Sequence, residues 1–207
     1  MLDEINKPIF VVGSPRSGTS ILALFLGYHP NIFPVPESNW IGDFAVNALF
    51  IHIVRDVGSV VRTMLNFHRI AGTNVVPNEE EAYRYWLRTV RACLKAEGAY
   101  GPRVVYRLRY TALVENSESA RRSLLDFSGE PYSANCLEPL SQRLNSSNVP
   151  ADFKFDDPAT DPAVAKEARR LSSEIEQAGP PGAPSSAAAD ELKAEFDARV
   201  KYIAAFR

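Results

Sequence analysis

Pro8 to Ser20 reads Pro-Ile-Phe-Val-Val-Gly-Ser-Pro-Arg-Ser-Gly-Thr-Ser, and it runs straight into the apolar segment Ile21 to Leu26. Ile9 to Val12 is a short β-rich apolar run of the kind that forms a buried strand, and Ile21 to Tyr28 has the composition of a helix start. Between them Gly13 and Gly18 turn the chain. A strand that turns through glycines into a helix N-terminus gathers backbone N–H groups around one point, and the helix dipole adds partial positive charge there. The expected guest is an anion.

The loop spacing, Gly13, four residues, Gly18, Thr19, Ser20, is close to the Walker pattern of nucleotide triphosphatases. Thr19 stands where that pattern has lysine, and the cation sits instead at Arg16, whose planar guanidinium can grip two oxygens of one phosphate. Such a loop is not built for the terminal phosphates of ATP with magnesium. The plainer alternative is a Gly/Ser turn between a strand and a helix.

Gly-Ser-Pro-Arg-Ser-Gly-Thr-Ser after a strand resembles the 5′-phosphosulfate loop of the sulfotransferases that use 3′-phosphoadenosine 5′-phosphosulfate (PAPS), particularly their bacterial branch. A second signature follows in Phe50 to Leu65, Phe-Ile-His-Ile-Val-Arg-Asp-Val-Gly-Ser-Val-Val-Arg-Thr-Met-Leu. In the family this is a strand ending in Arg-Asp, usually followed by proline, then a helix with a serine eight residues after the arginine; arginine and serine hold the 3′-phosphate. Arg55 matches the arginine, Val57 replaces the proline, and Thr63 keeps the hydroxyl at the serine position.

The resemblance implies a three-layer α/β fold, a parallel β-sheet flanked by helices, and the alternation of strands and helices independently favours the same architecture. It implies Ser14, Arg16, Ser17, Gly18, Thr19 and Ser20 around the 5′-phosphosulfate, and Arg55 and Thr63 at the 3′-phosphate. Arg143 and Ser146 fall where the family places a basic, hydroxyl-rich loop over that phosphate. Arg16 and Thr19 are expected to stabilise charge on the leaving phosphate. Glu37, in the loop Asn31 to Trp40, is the expected general base, since a carboxylate beside an apolar wall (Phe33, Trp40) has a raised pKa. An exposed loop glutamate is the competing reading. The resemblance implies PAPS as donor, 3′-phosphoadenosine 5′-phosphate (PAP) as product and no metal. The acceptor it leads one to expect is a hydroxyl on a small molecule or carbohydrate, or an amine.

One feature is missing. Trp40 and Phe50 are separated by nine residues, where the family usually has several tens that build much of the acceptor pocket. The domain is therefore expected over residues 1–150, shortened between about 41 and 49. A non-catalytic nucleotide-binding protein of the same fold stays open as an alternative, as does a small P-loop kinase.

Elsewhere, 207 residues with 45% hydrophobic content suffice for one well-buried core. A formal charge of −2 gives no global attraction for nucleic acid or anionic membrane. Cys93 and Cys136 form neither a disulfide framework nor a metal pattern. The polar N-terminus and the lack of a long apolar run suggest a soluble, cytoplasmic protein. His29 reads as a helix-end residue, His52 as a satisfied core histidine, and Arg62 as a helix-face residue or an aid to Arg55. Residues 79–97 form an amphipathic helix with Tyr83, Trp86, Leu87, Val90 and Leu94 inward. Residues 151–207 are expected as a helical extension, with Val164 to Gln177 helical and a flexible linker over about 179–189. A terminal helix then carries Leu192, Phe196, Val200 and Ile203 on one stripe.

Overall fold

Ile9–Val12 forms β1, Leu49–Val54 forms β2 and Val105–Arg109 forms β3, in a parallel sheet of order β1-β2-β3. The computed structural model describes residues 8–34, 48–72, 76–115, 118–141, 149–150, 152–153 and 155–204. β2 is central and its residues are almost all buried, as a strand covered on both faces must be. Val12 pairs with His52, and Val54 with Arg109, so the carboxyl ends of all three strands lie side by side.

Side chains alternate across β2 and divide the core. Ile51 and Ile53 pack with Ile21, Leu22, Phe25 and Leu26 of α1 (Thr19–Gly27) and with Leu124 and Leu125 of α5 (Glu118–Ser128). Val54 joins the opposite cluster, made by α2 (Val57–Ala71), α3 (Glu79–Tyr100) and α7 (Pro162–Gln177). The result is three layers of α/β type. The inward stripes follow the helical period as read: Val60, Val61 and Met64 are buried on α2, and Tyr83, Trp86, Leu87 and Val90 on α3. A short helix α4 (Tyr110–Val114) follows β3 directly, and α6 (Glu138–Ser141) continues a 3-10 turn over Ala134–Leu137.

α7 buries Val164, Ala165, Ala168 and Ile175 in the same cluster as α2 and α3, so the segment expected as an extension shares the domain core. Polar contacts fasten it along its length. Glu79 at the start of α3 accepts from Asp157 N–H at 2.7 Å, Arg62 donates to Pro150 O at 2.7 Å, and Arg107 and Arg109 of β3 donate to Gly179 O and Ala178 O at 3.1 and 3.0 Å.

The linker expected to reach Ala189 ends earlier, because α8 (Ser186–Ala204) begins within it. Ser185 Oγ accepts from Ala188 N–H at 3.4 Å, an N-cap ahead of a run of alanines, the strongest helix formers. α8 lies along α3, where Lys95 pairs with Glu191 at 3.1 Å and with Glu195. Its expected stripe is not buried at Phe196, which is 67% exposed. Among the described residues no helix is long and apolar enough to cross a membrane.

Candidate active site

The loop between β1 and α1 closes tightly at Gly18. With φ 110° it adopts a backbone that L residues rarely hold, and a Cβ there would stand 2.4 Å from Tyr110 Cδ2. Gly18 is the N-cap of α1 and, having no side chain, leaves the helix start without a side-chain cap. The first helical bond runs from Leu22 N–H to Gly18 O, so the amides just ahead of Leu22 are donors that the helix cannot satisfy internally. The Ser17 amide is engaged inside the loop, donating to Ser14 O at 3.1 Å. Ser14 and Ser17 are both 1% exposed, and Ser17 Oγ is buried without a hydrogen-bond partner. An uncapped helix start beside an orphaned hydroxyl suits an anion.

Arg16 sits in this loop at φ 68°, a left-handed backbone that costs an L residue on the order of 1–2 kcal/mol. Its guanidinium lies 5.0 Å from the centre of the Phe67 ring. Arg55, arriving from the end of β2, stacks on Tyr110 at 4.4 Å and donates Nη1–H to Arg16 O at 3.3 Å. The two signatures, 39 residues apart, therefore meet. Burial lowers the pKa of Arg16, and repulsion from Arg55 lowers it further. Two cations held this way would be relieved by an anion between them.

Asp56 caps α2, accepting from Gly58 N–H at 3.0 Å and Ser59 N–H at 2.7 Å. Burial pulls its pKa upward, but the bonds from Ser59 and Gly58 and the charge of Arg55 outweigh it and hold the carboxyl below its ordinary value. Thr63 is half-buried and its hydroxyl is turned onto its own helix, 2.8 Å from Ser59 O and 2.9 Å from Val60 O. A phosphate offers only acceptors, so Thr63 must give up that donation to serve one. Beyond Arg55, at the ends of β2 and β3, a cavity of about 320 Å³ is walled by Arg55, Asp56, Trp86, Arg109, Ser172 and Ile175, among others.

Glu37, Arg143 and Ser146 lie outside the described residues. His29 is structural, as expected: its Nδ1 accepts from Asn31 N–H at 3.2 Å, which leaves Nε2 to donate to Pro131 O at 2.8 Å. His52 is only half satisfied. Its Nδ1 meets Glu97 Oε1 at 2.6 Å, Glu97 is also gripped by Arg107, and Nε2 is buried without a partner. Arg62 donates to Pro150 O at 2.7 Å. Among the described residues no group of three or more His, Cys, Asp or Glu could hold a metal.

Sequence reasoning missed Phe67 and Tyr110, the rings that hold the two arginines. Signals for them existed: Tyr110 directly follows a parallel strand, where α/β ligands bind, and Phe67 stands four residues after Thr63 on the same helix face.

The chain matches the profile of the family described as "Sulfotransferase family" in two pieces, residues 8–46 and 43–134. Among solved structures it is similar to the sulfotransferase domain from the curacin biosynthetic pathway, with 15% identity and TM-score 0.56, over 93% of this chain and 98% of that one. The sulfotransferase domain of the Synechococcus PCC 7002 olefin synthase matches equally, with 15% identity and TM-score 0.56 over 93% and 94%. No curated protein matches the chain significantly.

Proposed function

The chain belongs to the sulfotransferase family, and on that premise we propose that it transfers a sulfuryl group from PAPS to a hydroxyl or amine acceptor on a small molecule or carbohydrate. The observation that carries this reading is the meeting of the two signatures, where Arg55 Nη1–H donates to the backbone oxygen of Arg16 at 3.3 Å beside an uncapped helix N-terminus. One anion site with two guanidiniums suits a ligand with phosphates at both ends of a short span.

In this reading Arg16 and the amides of Gly18, Thr19 and Ser20 hold the 5′-phosphosulfate, while Arg55 holds the 3′-phosphate with Thr63, Arg143 and Ser146. The bound donor supplies an activated sulfuryl group on a phosphate that can leave. Arg16 and Thr19 stabilise the charge that develops on that phosphate, and Glu37 takes the proton of the acceptor hydroxyl. Alignment contributes the larger share, because the protein makes no covalent bond of its own in such a transfer.

A second reading is favoured by one observation. The two pieces of the family match join at residues 43–46, inside the short stretch between Trp40 and Phe50. A chain lacking an acceptor pocket would bind nucleotide without turnover.

Calorimetric titration with PAP, alongside ATP with magnesium, tests the assignment. PAP is expected to bind in the micromolar range, and Arg55→Ala to lose about 2–3 kcal/mol of that affinity, as for a charge-assisted contact. ATP binding that depends on magnesium, without PAP binding, would overturn it in favour of a kinase. With PAP bound, sulfuryl transfer from labelled PAPS to a panel of phenols, alcohols and sugars separates enzyme from binder.

A further inference from the structure

Val57 is the first residue of α2, and its N–H belongs to the donors that no helix satisfies internally. Proline is favoured at this position for that reason, since it has no N–H to lose. Here the residue is valine and only 2% exposed, so the amide is buried with it and needs a partner. The partner is Ser172 Oγ on α7, 3.2 Å away and 115 residues further along the chain. The next two donors, Gly58 and Ser59, are taken by Asp56. Asp56 and Ser172 thus divide the start of α2 between them, one local and one from the far end of the chain.

The residue on the other side of this turn is Arg55. Its guanidinium sits on Tyr110 and reaches Arg16 O, an arrangement fixed by where the Arg55-Asp56 backbone leaves β2. Ser172 shares the wall of the 320 Å³ cavity with Arg55 and Asp56, so its hydroxyl stands at the turn itself. We propose that Ser172 is a positioning residue for Arg55, and that its hydroxyl does from α7 what a proline at residue 57 would do locally. The backbone permits the exchange: Asp56, at φ −47° and ψ 131°, is outside the helical region, as an N-cap residue is, and its ψ is one that a residue before proline also takes. This inference rests on the nucleotide reading above.

The test is a set of variants titrated with PAP and melted in parallel. Ser172→Ala leaves the Val57 amide unpaired, and relief of that amide shifts the turn; binding weakens about tenfold, within the cost of a buried unsatisfied donor. Val57→Pro removes the amide, so Ser172→Ala added to Val57→Pro changes affinity less than about twofold. In an Arg55→Ala background, Ser172→Ala likewise has almost no further effect, because its action runs through Arg55. A Ser172→Ala variant that melts lower yet binds PAP like wild type overturns the positioning role. So does an affinity loss that adds fully to that of Arg55→Ala, or one that Val57→Pro does not cancel. Should wild type bind no PAP, the nucleotide reading fails and the Arg55 half of this inference with it. The melting cycle of Val57→Pro and Ser172→Ala then still decides whether the hydroxyl stands in for proline.

Discussion

Gly18→Ala is the perturbation that tests whether the loop, Tyr110 and Arg55 form one unit. Its cost has two separable parts. The backbone at φ 110° and ψ 14° strains any L residue by on the order of 1–3 kcal/mol. The added Cβ would also lie 2.4 Å from Tyr110 Cδ2 and 2.9 Å from Cε2, so the ring must move by about an ångström, an overpacking worth roughly 1–3 kcal/mol. Gly72→Ala is the control, since Gly72 has φ 62° with nothing among the described residues within 4 Å of a Cβ, and should cost only about 1 kcal/mol. Urea unfolding is expected to place Gly18→Ala about 1–5 kcal/mol below Gly72→Ala, the difference being the clash together with the greater backbone strain. Because Arg55 rests on the displaced ring at 4.4 Å, Gly18→Ala should also weaken PAP binding while Gly72→Ala leaves it unchanged. Adding Tyr110→Ala removes the obstacle, so Gly18→Ala should cost less in that background. Equal losses in the two glycine variants, with PAP bound normally by Gly18→Ala, would refute the coupling of loop, ring and arginine.

Thr63→Ala is expected to lower PAP affinity by less than about 1 kcal/mol, well below Arg55→Ala, because the hydroxyl must first leave its bonds to Ser59 O and Val60 O. Losses of equal size by calorimetry would contradict this. Glu97 gives the pH dependence: burial raises its pKa, but hydrogen bonds from His52 and Arg107 prevail and hold it below the ordinary value. A carboxylate depressed in the folded state contributes stability that is in place above its unfolded pKa of about 4.3 and is lost as pH falls through the lower folded value. Glu97→Gln should therefore be less stable at pH 7 by about 3–5 kcal/mol, as for a broken buried pair. It should also lose less stability than wild type on acidification below about pH 4, measured by urea unfolding. Parallel losses in the two proteins would show that Glu97 does not titrate on unfolding.

The sheet and the turn from β1 into α1 were legible because their signals are local. Ile9 to Val12 and Phe50 to Val54 are apolar runs bounded by turn chemistry, and each is followed within a few residues by the helix its pattern requires. Arg16 and Arg55 were legible for the same reason, as each lies inside a short motif. The end of the linker was misjudged because composition was weighed over Gly179 to Ala189 as a whole. Within it the Gly/Pro half and the Ser-Ala half have opposite propensities, and the helix starts where the second begins.

What sequence could not supply are the contacts that join distant elements, and their chemistry explains why. Arg62, Arg107 and Arg109 each hold the C-terminal segment through a backbone carbonyl, of Pro150, Gly179 and Ala178. Every residue offers a carbonyl, so the accepting side of such a bond leaves no trace in residue identity. Ser172 is the converse case, a side chain recognising a backbone amide that is exceptional only because residue 57 is not proline. Two of these side chains, Arg109 and Ser172, line the cavity beside Arg55 at the carboxyl ends of β2 and β3. The family match ends at residue 134, yet α7 walls that cavity and caps the helix that follows Arg55. On the proposed reading the motifs specify which charges face an anion, while the segment after residue 150 specifies where one of them stands.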